Sequence, residues 1–248
     1  MLWDRHDLER YERWLSSPQG GYALEREFHL LEWLTAAWPR RGRTLLEVGC
    51  GPGVFLEFFH QAGFDVTGLD KSPVMIAAAG RRMGAQVQCR VGDAQALPYE
   101  AERFDYVALL TVLDFVEDPE LTLREAARVA KYGVVVAYLN RFSVHALFVK
   151  KNSISGQAKW FTPWAMRRLA RQAFGRAPLR EGCVLPGPKS TWRRGFPLWR
   201  LGTVILPVQV GAYCAFAADL TAEPLRTPIP AFAGRAPQRA FDNSGCWG

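Results

Sequence analysis

Leu45-Leu46-Glu47-Val48-Gly49-Cys50-Gly51-Pro52-Gly53 decides the fold. Thr44 to Val48 reads as a buried strand, and Val54-Phe55-Leu56-Glu57-Phe58-Phe59 begins a helix. Between them lie glycines at 49, 51 and 53, which tolerate positive φ and hold no side chain against a ligand. The helix that follows presents unpaired N–H groups at its start. Strand, glycine turn and helix together make the nucleotide-binding corner of a doubly wound α/β sheet, where ligands sit beyond the carboxyl ends of the strands.

The spacing narrows the choice of nucleotide. A dinucleotide fingerprint, G-x-G-x-x-G/A, counted from Gly49 requires Gly or Ala at Val54, and counted from Gly51 requires it at Leu56. Neither register fits, which argues against a dehydrogenase. Glu47, two residues ahead of the glycines, repels a pyrophosphate and suits a cation. With the features described next, this stretch resembles motif I of class I S-adenosylmethionine-dependent methyltransferases. The nearer likeness is to methyltransferase type 11 and the ubiquinone/menaquinone biosynthesis methyltransferases. The resemblance implies a Rossmann-like, seven-stranded, mostly parallel sheet. It also implies S-adenosylmethionine as cofactor, S-adenosylhomocysteine as product, and an acid at Glu47 facing the ammonium and sulfonium of the methionine end.

Downstream, strand and helix alternate regularly from 43 to 140. Asp65–Asp70 is strand 2, and its terminal Asp70 can accept two hydrogen bonds from vicinal ribose hydroxyls. Asp70-Lys71-Ser72-Pro73 also reads as a cap for the next helix. Gln86–Val91 is strand 3, followed by Gly92-Asp93-Ala94, in which Asp93 and the Ala94 N–H resemble the family's adenine-edge contacts. Arg103–Leu109 is strand 4, with Asp105 in a structural role at its start. The segment after it, with Thr111, Val112 and Asp114, fronts the cofactor in the resembled family. Phe115 stands where many relatives carry a histidine. A helix follows from Glu120 to Ala130, then strand 5 at Gly133–Leu139, preceded by Lys131-Tyr132-Gly133 where the family has a Pro-Gly-Gly turn. The cofactor set is therefore Glu47, Gly49, Cys50, Gly51, Gly53, Asp70, Lys71, Asp93, Ala94, Thr111 and Val112.

The flanks are less explicit. Glu9–Leu15 and Tyr22–Trp38 read as helices separated by Ser16-Ser17-Pro18-Gln19-Gly20-Gly21, giving residues 1–42 as a helical cap or lid. Residues 43–220 are the cofactor domain, with an acceptor-side insertion at about 140–175, and 221–248 a poorly ordered tail. Within the insertion Thr162-Pro163 is an N-cap followed by a first helical residue. A weak strand at Glu181–Leu185 precedes an apolar stretch, Phe196–Leu206. The last strand, Val208–Asp219, is expected antiparallel at the sheet edge. Tyr11, Trp14, Tyr22, Arg26, Asn140, Trp160 and Phe161 are the acceptor-pocket candidates. A core or covering role for these segments is the plainer reading, and lipid contact by the basic, aromatic insertion is a third. Should the acceptor be a hydroxyl, Asp114, His145 or Tyr22 is the candidate base.

Composition bounds the rest. The chain has 248 residues, 49% of them hydrophobic and 22% charged, enough for one sizeable core. No apolar run approaches the roughly 18–20 residues that span a bilayer, and the polar N-terminus shows no signal peptide. Five cysteines without a C-x-x-C pair give neither a disulfide framework nor a metal site, so the cytoplasm is the expected compartment. A net charge of +7 is spread along the chain in mild arginine clusters, which argues against nucleic acid. The expected activity is transfer of a methyl group to a small-molecule acceptor. The alternatives are another transferase using the same cofactor pocket, such as an aminopropyl transferase, or an idle methyltransferase-like binding protein. The acceptor's identity and the oligomeric state are not legible.

Overall fold

The computed structural model describes residues 2–149, 156–193, 205–206 and 210–221. Its centre is a seven-stranded sheet in the order β3-β2-β1-β4-β5-β7-β6. The strands are β1 (Thr44–Val48), β2 (Asp65–Asp70), β3 (Gln88–Val91), β4 (Phe104–Leu110), β5 (Ala130–Leu139), β6 (Leu179–Val184) and β7 (Tyr213–Asp219). β1 to β5 are parallel, and β7 runs antiparallel between β5 and β6. The doubly wound, mostly parallel sheet expected from the sequence is thus the architecture observed. Its order reverses between β1 and β4, the switch point at which a crevice opens.

The apolar runs explain the placement. Val134 to Tyr138 in β5 and Val107 to Leu109 in β4 are buried on both faces, as central parallel strands must be. Among the described residues the helices are α1 (Arg5–Leu15), α2 (Pro18–Leu34), α3 (Val54–Gln61), α4 (Pro73–Met83), α5 (Pro119–Val129) and α6 (Pro163–Phe174), with α1 packed on α2 and α4. α2, α4, α5 and α6 share one start signal: Ser17, Ser72, Asp118 or Thr162 caps a backbone N–H, and proline follows at the first helical position. α1 begins instead with an Asp4–Asp7 capping box.

Several expectations need correction. Pro18-Gln19-Gly20-Gly21 is the first turn of α2, not part of a break, because Ser17 caps it. Gly20 is required there: a Cβ would sit 1.9 Å from the Trp14 carbonyl oxygen. α2 ends at Leu34, and Trp38 lies beyond it, stacked on Tyr106 at 4.2 Å. No turn separates α5 from β5, since the strand starts at Ala130 and contains Lys131-Tyr132-Gly133. Gly133 is needed there, against the Ala218 carbonyl and the Trp38 ring, 3.1 Å from where a Cβ would lie. β3 starts at Gln88, two residues late, after a 3₁₀ turn at Gly84–Gln86. β7 starts at Tyr213 and is interior; β6 is the edge strand. Ile205 and Leu206 excepted, the apolar stretch 196–206 lies outside the described residues, as does the tail beyond Thr221.

Candidate active site

The turn after β1 is held by β2. The N–H groups of Gly49 and Cys50 both donate to the Leu69 carbonyl, at 2.7 and 3.0 Å. The Gly51 N–H donates to Asp70 Oδ2 at 2.9 Å, and the Ser72 N–H donates to Asp70 Oδ1 at 2.8 Å. Asp70 therefore braces the glycine turn, while Ser72 is the actual cap of α4. Gly49 has φ +70°, and a Cβ on it would lie 2.4 Å from Val112 Cγ2. Gly53 also has positive φ, but its missing side chain makes room for Ala79 of α4 rather than for a ligand.

A cavity opens over this turn, lined by Glu47, Gly49, Cys50, Gly51, Asp70 and Lys71, then by Asp93, Ala94, Thr111 and Val112. Glu47 is 1% exposed and its Oε2 has no partner. Burial, with the charge of Asp70 beside it, pushes the Glu47 carboxyl well above its usual range. Asp70 is raised too, burial outweighing the backbone N–H groups it accepts. An uncompensated buried acid is costly unless a cation or donor meets it. Asp93 differs: Lys71 donates to its Oδ2 at 2.8 Å and holds its pKa down. Its Oδ1 accepts from the Gln95 N–H. Thr111 is strained at φ +58° where β4 gives way to the cavity wall.

A second cavity, about 640 Å³, is of the size small-molecule sites usually have. It shares Trp3, Tyr11, Phe55, Thr111 and Phe115 with the first, so one aromatic wall belongs to both. Trp3 is fixed there because its carbonyl accepts from Ser72 Oγ at 2.6 Å, tying the chain before α1 to the start of α4. Trp14, Glu27, His145, Trp192 and Tyr213 line the remainder. Burial lowers the His145 pKa to about 4, with Lys189 adding to the effect, so its imidazole is neutral, and Nδ1 has no partner.

All of the expected cofactor residues except Gly53 line the first cavity. Of the expected acceptor and catalytic residues, Tyr11, Trp14 and His145 line the second. The others do not. Tyr22 is a core side chain, 7% exposed, with the Arg26 guanidinium 5.7 Å from its ring centre. Arg26 itself pairs with Glu25 at 2.7 Å. Asp114 is fully buried and lines neither cavity; its Oδ1 accepts from the Leu139 N–H and its carbonyl from the Lys159 N–H. Asn140 is fully buried, its side chain donating to the Gly211 carbonyl and accepting from the Phe142 N–H. Phe161 returns to pair beside Asn140 and packs into the core. Trp160 does not line the cavity; its ring centre lies 6.0 Å from that of His145, which does. Asn140 and Phe161 share a physical reason: the chain returns beside the end of β5, where the Phe161 N–H donates to the Leu139 carbonyl and the Arg141 N–H to the Phe161 carbonyl.

The sequence reading missed Trp3, Glu27, Trp192 and Tyr213. Glu27 left a signal, for it interrupts the apolar stripe of Leu24 and Leu31 at i+3 and i−4. Tyr213 left none, since a tyrosine in a buried strand looks like core.

Fold and site together define a class: this is a class I methyltransferase fold, with its crevice at the β1/β4 switch point. Residues 46–138 match the methyltransferase domain family. The ubiquinone biosynthesis O-methyltransferase of Bordetella avium is 37% identical over 125 residues, covering 48% of this chain and 52% of that protein. That of Pseudomonas putida is 34% identical over 149 residues, 56% of this chain and 64% of that one. The chain thus spans about half to two thirds of the length of these relatives. Among solved structures, an S-adenosylmethionine-dependent methyltransferase of Thermotoga maritima, a possible histamine N-methyltransferase, superposes with a TM-score of 0.65 at 23% identity. That likeness covers 86% of this chain and 96% of the other. The magnesium protoporphyrin IX methyltransferase of Synechocystis, with bound S-adenosylhomocysteine, gives 0.64 at 16% identity over 87% and 94%. These two likenesses concern the fold.

Proposed function

We propose that the protein transfers a methyl group from S-adenosylmethionine to oxygen of a small-molecule acceptor. The observation that carries this reading is the unpartnered Glu47 oxygen, buried beside Asp70 on a bare glycine turn, in a cavity that shares a wall with a second one. A ligand that is cationic at one end and carries a nucleoside at the other fits this donor set. Glu47 would hold the ammonium and sulfonium end, Asp70 the ribose hydroxyls, and Asp93 with the Ala94 N–H the adenine edge. When bound, that cofactor supplies a methyl group already activated for displacement. The chain's part is then to bind, orient and exclude water, and such positioning can recover roughly 7–11 kcal/mol of barrier. Trp3, Tyr11 and Phe115, on the shared wall, keep both ligands apposed and dry.

In this scheme residues 1–42 act as a cap: α1 brings Tyr11 and Trp14 to the site while α2 covers the sheet and contributes Glu27. Residues 43–220 form the catalytic domain, with the 140–175 segment backing the acceptor side. The four described cysteines are all free thiols, which suits a reducing cytoplasm. Among the described residues no helix is long and apolar enough to cross a membrane. Oxygen as the receiving atom follows the O-methyltransferase relatives. Aminopropyl transfer is disfavoured, because a polyamine needs several carboxylates, and among the described residues lining the second cavity Glu27 is the one carboxylate, alongside Arg10, Arg13 and Lys189. Calorimetric titration with S-adenosylmethionine tests the proposal: micromolar binding is expected, and absence of heat with the intact chain would overturn it.

A further inference from the structure

The second cavity has a chemical character that neither the domain match nor the glycine turn accounts for. Its walls are aromatic, yet several polar groups in them lack partners. The Tyr213 hydroxyl is fully buried and makes no hydrogen bond, although the residue is only 2% exposed. Glu27, on α2 and half-buried, lines the same cavity. Leaving a buried hydroxyl or carboxyl unpaired costs about 1–3 kcal/mol each. An unpaired buried hydroxyl and a carboxyl lining one space mark a place where a ligand completes the bonding. Tyr11 joins this space to the first cavity: it lines both, and its phenol feels the charges of both Glu27 and Glu47.

We propose that Glu27 is the proton acceptor of the second cavity, and that the methyl acceptor is an alcohol or phenol with a flat apolar body, its oxygen held by Glu27 and Tyr213. This rests on the methyltransferase reading above. The hydroxyl proton of the acceptor passes to a Glu27 carboxylate oxygen. The acceptor oxygen forms its bond to the methyl carbon as the carbon–sulfur bond breaks. That bond's electron pair stays on sulfur, leaving a neutral thioether, and Glu27 later returns its proton to water. Trp14 and Trp192, whose ring centres are 6.5 Å apart, offer the apolar body a surface.

Burial lifts the Glu27 carboxyl to about 8, close to where a general base works best at neutral pH. The other charged and titratable groups facing this cavity are Arg10, Tyr11 and Arg13 from α1, Tyr213 from β7, and His145 and Lys189 from two short 3₁₀ turns. His145 stays neutral, and both tyrosine hydroxyls are pushed up by burial. Glu27 is therefore the group in this set that changes charge just above neutrality.

The test uses 4-nitrophenol, whose visible absorbance reports its ionised form, titrated into the full-length protein between pH 7 and 9.5. With Glu27 protonated, the carboxyl donates to the bound phenolate; once it ionises, the two charges repel. Affinity of the wild type should fall about tenfold per pH unit above about 8, the slope of one linked proton. Glu27→Gln should bind with no such break, Glu27→Asp should keep one, and Tyr213→Phe should weaken binding severalfold at every pH. No saturable binding to the wild type, or the same slope in Glu27→Gln, overturns the assignment. Each protein is also titrated with S-adenosylmethionine. Unchanged cofactor binding in a Glu27→Gln variant that keeps the wild-type slope sinks Glu27 alone, whereas no cofactor binding by the wild type sinks the methyltransferase reading.

Discussion

The two cavities meet at one wall but are built in opposite ways. The first is made of strand tips: Glu47 ends β1 one residue early, Asp70 ends β2, Asp93 follows β3 and Thr111 follows β4. Its polar groups are backbone N–H groups and short acids, fixed by parallel strands in register. The second is assembled from α1, α2, two 3₁₀ turns and β7, with contributors from Trp3 to Tyr213. A site on adjoining strand ends is rigid and reusable. One gathered from distant helices can change its lining while the sheet stays intact, which suits a fixed cofactor and a variable acceptor.

That contrast can be broken at graded cost. Gly49→Ala forces a side chain into Val112 in a left-handed backbone, so stability should fall by about 2–4 kcal/mol and cofactor binding should vanish. Urea unfolding and calorimetry read both. Asp70→Ala removes the acceptor of the Gly51 and Ser72 N–H groups as well as the proposed ribose partner. Affinity for S-adenosylmethionine should drop roughly 10- to 100-fold, with charged hydrogen bonds worth about 1.5–3 kcal/mol. A variant that binds as the wild type does would remove Asp70 from the site.

Trp192→Ala sharpens the difference from the other side: it opens the second cavity, so 4-nitrophenol binding should weaken about tenfold while cofactor affinity stays within twofold. Glu27 also predicts a stability trend. In the unfolded chain this carboxyl ionises near its usual 4.5, and in the folded protein near 8. The folded state therefore holds a proton that the unfolded state has lost, and stability falls as pH rises from about 5 to about 8. The melting temperature of Glu27→Gln should gain on that of the wild type across that window, and a constant difference would refute it. The smallest effect is expected for Tyr22→Phe, because a core ring keeps its packing without its hydroxyl. Cofactor and nitrophenol binding should both be unchanged, and a loss in either would return Tyr22 to the site.

How much was legible follows from the same contrast. Glu47, Asp70 and Asp93 could be placed because each occupies a position defined by a strand end, and strands announce themselves by apolar runs of a few residues. Helix starts were harder. Ser17-Pro18 reads as a loop signal until its cap is seen, so α2 began four residues before expectation. The direct passage from α5 into β5 hid behind Lys131-Tyr132-Gly133, where glycine avoids Trp38 rather than making a turn. Tyr22 and Glu27 show the limit most clearly. Both lie on α2, five residues apart, and the aromatic one read as site while the acid drew no assignment. Packing reversed them: Tyr22 joined the core and Glu27 lined the cavity.

The sequence alone determined the sheet, its switch point and the acids around the glycine turn, because these depend on short-range order: alternation of apolar runs, residues that permit positive φ, and acids at strand ends. Only the tertiary structure decided what lines the second cavity. Which side of α1 and α2 turns inward, and that Tyr213 emerges beside Glu27, depends on contacts between segments nearly two hundred residues apart, and local pattern carries no record of such contacts.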